Sequence, residues 1–168
     1  MISYRLWIYR LLTFLLPETR FFGVKVALLR WCGAKIGRNV RINSTAIFAG
    51  NGGLEIGDDV WLGSGCRILF VDSAVIRIGS CCDLGPEVMI LTGSHEVDTE
   101  GLHIGGKGTA ASVTICDGCW LGARATILPG ILLAKKTLVA AGAVVVKSVE
   151  QPCSLVAGVP AVVKKHLT

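Results

Sequence analysis

This sequence carries three imidazoles, His95, His103 and His166, and one of them has neighbours suited to proton transfer. In ILTGSHEVD, residues 90–98, His95 follows an aliphatic run and stands among hydroxyl and carboxylate side chains. An imidazole titrates near ~6.5, so at neutral pH it can take a proton from an attacking hydroxyl and later return it to a leaving group. A lysine or an arginine could not do both. Such a base needs a partner that fixes its tautomer, a carboxylate or a backbone carbonyl; Glu96, Asp98 and Asp83 are the candidate carboxylates, unranked by sequence alone. His103, in the same polar run, reads either as a solvated loop residue or as a substrate contact. His166 lies in residues 153–168, read as a C-terminal tail where a chain frays.

Cysteine is the other residue type that could carry chemistry. Cys116 and Cys119 in CDGC have the spacing of half a zinc site, but no second pair matches it, so no metal is assigned. Seven cysteines is an odd number, and no signal peptide precedes them, which points to free thiols in a reducing cytoplasm. The formal charge of +5 is scattered along the chain. That excludes the basic block of a nucleic-acid-binding tail and suits a small anionic ligand equally well.

The elements that must position these residues are visible as a repeat. From Ile115 an aliphatic residue recurs every six positions through Leu121, Ile127, Leu133, Val139 and Val145. Shorter runs of the same period are Ile36 and Ile42, then Ile56, Leu62 and Ile68, then Ile78, Leu84 and Ile90. A period of six is neither helical nor simple strand alternation. It describes a short strand and a corner, three to a turn, stacked as a triangular coil around one core of about five turns. Glycine often follows the aliphatic residue, as at Gly37, Gly57, Gly63, Gly79, Gly85 and Gly122, which predicts a corner with unusual backbone angles there. Four positions after the aliphatic residue the slot is small or β-branched: Val40, Val60, Val88, Ala125, Thr137 and Ala143. Cys66, Cys82 and Cys119 occupy the same slot and are expected to be buried as small hydrophobes.

The 168 residues, 52% of them hydrophobic with 21 glycines and only 5 prolines, fit one folded domain with many turns. Residues 1–35 read as an amphipathic helical segment, 36–152 as the coil, and about 92–112 as a polar, glycine-rich loop that leaves it. The apolar stretch from Leu6 to Leu16 is broken by Arg10 and stopped by Pro17, too short to span a bilayer. With Arg5, Arg20, Lys25 and Arg30 it suits a helix packed on its own protein or a second copy, or one lying at the inner face of a membrane.

From Ile36 onward the chain resembles the hexapeptide-repeat acyltransferases, through LTGSHEVD, GCWLGARATILPG, AAGAVVVKSV and VAGVPA in that order. Within them it is similar to bacterial O-acetyltransferases of the colanic-acid and O-antigen type. The resemblance implies an all-β, left-handed parallel β-helix with an N-terminal helical segment and one protruding active-site loop. It implies a homotrimer with acetyl-CoA lying between neighbouring copies. The acceptor would be a sugar hydroxyl in capsule, exopolysaccharide or lipopolysaccharide synthesis. His95 matches the family's general base, and the backbone amide of Ala123 its oxyanion donor. Trp120 would line the pantetheine channel, or be a plain surface aromatic. Ala141, Gly142 and Lys147 match positions along the CoA arm, although Lys147 also reads as a solvated lysine. Asp72, Glu96 and His103 are the acceptor-side candidates, Asp72 reading equally as a corner aspartate. The chain departs from the family after GVPA, where Val162 stands in place of a basic residue and Lys164 and Lys165 follow.

Two other readings share the coil. A γ-type carbonic anhydrase needs three histidine ligands and leaves the long loop without a role. A non-catalytic trimeric scaffold would have no use for His95 and Trp120.

Overall fold

The computed structural model describes Met1 and residues 3–167. Two helices, α1 (Ser3–Phe14) and α2 (Phe22–Trp31), precede the strands. The first turn of the coil is β1 (Lys35–Ile36), β2 (Arg41–Ile42) and β3 (Ile47–Gly50), and the second is β4 (Gly53–Ile56), β5 (Trp61–Leu62) and β6 (Arg67–Phe70). The third turn is β7 (Val75–Ile78), β8 (Asp83–Leu84) and β9 (Met89–Leu91), after which β10 (Gly93–Val97) and β11 (Gly105–Ala110) leave the coil. It resumes with β12 (Val113–Ile115), β13 (Trp120–Leu121) and β14 (Thr126–Ile127), then β15 (Leu132–Leu133), β16 (Leu138–Val139) and β17 (Val144–Val145). The chain closes with β18 (Ser154–Gly158) and β19 (Ala161–His166).

Strands stack by turn into three faces: β1-β4-β7-β12-β15, β2-β5-β8-β13-β16-β18, and β3-β6-β9-β14-β17, all parallel. The register puts each aliphatic residue on the next. Ile36, Ile56, Ile78, Ile115 and Leu133 form one ladder. Ile42, Leu62, Leu84, Leu121, Val139 and Val156 form the second. Phe48, Ile68, Ile90, Ile127 and Val145 form the third. Apart from Ile36, half-buried at the end of the stack, every member is buried. Burying such a side chain is worth about 1.5–3 kcal/mol, and no turn could do it alone. The small slot is interior as expected: Val60, Val88, Ala125 and Thr137 are buried, and so are Cys66, Cys82 and Cys119.

The glycines after the aliphatic residues have a different cause from the expected one. None of Gly37, Gly57, Gly63, Gly79, Gly85 or Gly122 has a positive φ. A Cβ on Gly57 would stand 2.7 Å from the Ser80 nitrogen, and one on Gly122 2.6 Å from the Ala141 nitrogen, so the side chain is excluded by the backbone of the next turn. The left-handed residues come two positions after these glycines and are mostly not glycine: Asn39, Asp59, Cys81, Glu87 and Arg124, with Gly65 the exception.

Both ends of the coil are covered. Leu6, Tyr9, Val26 and Leu29 close the first turn, with Tyr9 edge-on to Phe48 at 5.7 Å between ring centres. Residues 15–21, which join the helices, are latched to the coil. Lys25 is fully buried and its Nζ donates to the carbonyls of Glu18 at 2.7 Å and Pro17 at 3.2 Å. Both the amide and the hydroxyl of Thr45 donate to the Glu18 carboxylate. Partial burial raises the Glu18 pKa, but hydrogen bonds from Thr45 and Ser64 and the Lys25 charge outweigh it, leaving the carboxyl below its ordinary value. At the other end, residues expected as a fraying tail instead form β18 and the antiparallel β19, with His166 Nδ1 3.1 Å from Ser154 Oγ.

Candidate active site

The break in the repeat leaves the coil as expected, and it does so as an antiparallel hairpin. Thr92 roots it: the side chain is buried, its Oγ1 accepts from the Val71 amide at 2.9 Å, and its carbonyl accepts from the Ala111 amide at 2.9 Å. From that base β10 and β11 pair Gly93 with Ala110, Ser94 with Thr109 and His95 with Gly108. The register slips between His95 and Val97, the kind of bulge that re-aims a side chain. At the far end Oδ1 of Asp98 accepts from the amides of Gly101 at 2.8 Å and Glu100 at 3.0 Å and so caps the tip.

His95 is exposed on β10, and its Nδ1 lies 2.9 Å from the Gly106 carbonyl oxygen. A carbonyl can only accept, so in the neutral ring Nδ1 holds the proton and Nε2 keeps its lone pair. The group that sets the tautomer is thus a backbone oxygen. None of the candidate carboxylates takes that place: Asp98 caps the hairpin tip, Asp83 sits on β8 in another face of the coil, and Glu96 is the neighbour of His95 on β10. Sequence reading missed Gly106, and its only trace was the density of glycine in GGKG.

Between the hairpin stem and the corner after β6 lies an open cavity of about 740 Å³, a size that suits a small ligand. His95, Ser94 and Thr109 line one side, and Asp72 and Ser73 the other. The structure therefore brings together two of the residues singled out, His95 and Asp72. His103 does not join them; it is exposed in the segment 98–104 that links the hairpin strands.

A second group gathers elsewhere. Gly122 and Ala123, after β13, lie against Ala141 and Gly142, after β16, with the Gly142 amide donating to the Ala123 carbonyl at 2.8 Å. Ala141 and Gly142 are exposed, and Trp120 beside them on β13 is 57% exposed. The result is a strip of small residues edged by an aromatic ring. Among the described residues the Ala123 amide donates no hydrogen bond. Lys147 stands apart, in a cavity of about 240 Å³ shared with Ser148, Val162 and Val163. Within a single copy neither group lines the cavity that holds His95.

Several other reactive side chains are committed. Burial pushes the Cys66 thiol up to about 11, and Cys82 is held protonated by its hydrogen bond with Cys119 and by burial. The depression along the first face spends its charges in ion pairs, Lys35 and Arg77 with Glu55 at 2.9 and 3.2 Å and Lys135 with Asp117 at 3.4 Å. Among the described residues no group of three His, Cys, Asp or Glu is placed to hold a metal ion.

No profile of a known protein family matches the sequence. Individual relatives do. A chain of Schizosaccharomyces pombe assigned as an acetyltransferase is 35% identical over 92 residues, 55% of this chain; the match spans 44% of that relative, less than half its length. The chain assigned as the colanic acid biosynthesis acetyltransferase WcaF of Escherichia coli K12 is 32% identical over 137 residues, 81% of this chain and 71% of that one. Among solved structures, a maltose O-acetyltransferase from Clostridium difficile 630 superposes with a TM-score of 0.70 at 25% identity, covering 99% of this chain and 86% of that one. With an aliphatic ladder on each face, one excursion bearing a histidine, and these relatives, the chain belongs to the hexapeptide-repeat acyltransferases and has their left-handed β-helix.

Proposed function

We propose that this chain is an acetyl-CoA-dependent O-acetyltransferase that esterifies a sugar hydroxyl in capsule, exopolysaccharide or lipopolysaccharide synthesis, with His95 as general base. The observation that carries the reading is the Nδ1 contact with Gly106, which leaves Nε2 as the basic nitrogen of a ring lining the cavity. Relatives named for maltose and for colanic acid support a glycan acceptor.

The chemistry divides among the chain's own residues. Acetyl-CoA supplies the acetyl group as a thioester. Nε2 of His95 takes the hydroxyl proton as the sugar oxygen bonds to the carbonyl carbon, and returns it to the sulfur as the carbon–sulfur bond breaks. Proton, acyl group and charge then balance with no covalent enzyme intermediate. The unpaired Ala123 amide is the donor for the oxyanion. Asp72 accepts from acceptor hydroxyls across the cavity from His95, with Glu96 and His103 as outlying contacts. The strip of Ala123, Ala141 and Gly142 beside Trp120 fits a slim pantetheine chain, because nothing there projects beyond a methyl group. Lys147 pairs with a phosphate of the donor.

His95 and the strip lie apart on one copy, so the reading requires a second copy to bring them together, and we assign the active form as a homotrimer with its grooves between subunits. We place it in the cytoplasm, where its cysteines stay reduced. The test is thiol release from acetyl-CoA with a panel of sugars. Acceptor-dependent release that falls roughly 10²–10⁴-fold in His95→Ala, with CoA binding retained, is the expected result. Equal turnover in wild type and His95→Ala, or no release with any acceptor, overturns it.

A further inference from the structure

Helix α1 is apolar on two opposite sides. At 100° per residue Leu6, Tyr9 and Thr13 share the face that is buried against the coil and α2, while Tyr4, Trp7, Leu11 and Phe14 share the reverse face, with Leu15 following just past the helix end. That outer face is strongly exposed, Trp7 at 68%, Phe14 at 80% and Leu15 at 75%. A helix with one face already buried has no folding reason to carry a second apolar stripe, and contiguous exposed apolar surface marks an interaction site. The occupant is indicated by charge. Arg10 lines one shallow recess with Trp7, Leu11 and Phe14, and Arg20 precedes the exposed Phe21. Neither arginine has an acidic partner among the described residues. Helix α1 contains no acidic residue, and Glu18, the one acid in residues 1–35, is engaged by Thr45. Aromatic and aliphatic side chains with unpaired arginines and no carboxylate complement an anionic lipid surface. No described helix is long and apolar enough to cross a membrane, so the helix would lie in the surface plane.

The geometry points to the outer face of α1 as a docking surface for an anionic bilayer. This stands apart from the catalytic reading, because it rests on no residue of the His95 cavity or of the small-residue strip. The experiment is cosedimentation of the full chain with vesicles of phosphatidylcholine alone and of phosphatidylcholine with one part in four of phosphatidylglycerol. Wild type is expected to pellet with the anionic vesicles and stay in solution with the neutral ones. The pair R10E/R20E should lower the partition coefficient roughly tenfold or more, and W7S/F14S should abolish pelleting, each with an unchanged melting temperature. The charge-reversal pair removes no large apolar side chain and decides the matter if the serine pair fails to fold. Wild type left in solution with anionic vesicles overturns the inference. So does a W7S/F14S particle of lower mass in light scattering, which would make the face a contact between copies.

Discussion

At the scale of single residues, the active-site hypothesis depends on one backbone oxygen and one carboxylate. A Cβ added at Gly106 would stand 2.9 Å from Asp98 Cβ and 3.3 Å from the Glu96 carbonyl, so Gly106→Ala must shift the carbonyl that holds the His95 ring. We expect kcat to fall roughly 10–10²-fold, as a misplaced base does, with the donor KM unchanged; initial rates at saturating sugar measure it. Asp72→Asn removes a charged acceptor of hydroxyl protons, and should raise the acceptor KM about tenfold while leaving the donor KM alone. Both kinetic constants come from one two-substrate matrix. His95 could be found in the sequence because a histidine in a polar interruption of a regular repeat stands out. Its partner could not, since a peptide oxygen has no letter of its own, and its reach depends on a bulged register that glycine-rich residues do not announce.

At the scale of elements, the period of six was readable because each strand turns one large side chain into a narrow core, and Ile, Leu and Val fill that place in nearly every turn. The hairpin was readable only as a gap, because β11, GGKGTA, lacks the apolar alternation that marks a strand. The role of the corner glycines was misread for a related reason: one sequence shows that a side chain is missing, not whether backbone angle or neighbouring backbone forbids it. The distinction can be tested at Gly57, remote from the proposed site. Gly57→Ala should destabilise by about 1–3 kcal/mol through overpacking against Ser80, a fall of about 3–10 °C in Tm by calorimetry. The helix latch gives a pH signature. The Glu18 carboxyl lies below its ordinary value in the fold, so its stabilisation is complete above the unfolded glutamate value of about 4.3 and is lost as acid protonates the folded carboxylate. Wild type should therefore melt a few degrees above Glu18→Gln at pH 7, and the gap should close below that value.

At the scale of the molecule, the division of the proposed site between two regions of one copy makes an assembly prediction. Light scattering should give about three times the chain mass of 17.8 kDa. Ala141→Arg, placed in the small-residue strip, and His95→Ala should each be nearly inactive alone. Co-expressed, they should regain part of the activity, because some grooves then draw an intact base and an intact strip from different chains. No recovery would mean that both halves come from one chain. The far end of the coil carries a separate consequence. A stack of parallel strands has no intrinsic stop, and its last rung is a template for another protein's backbone. Here β19 folds back over β18 in the opposite direction and turns Lys164 and Lys165 outward. A growing filament would have to accept a reversed, doubly cationic rung. That face of the coil is thus blunted at the end opposite the helices, where a further parallel strand could otherwise have paired.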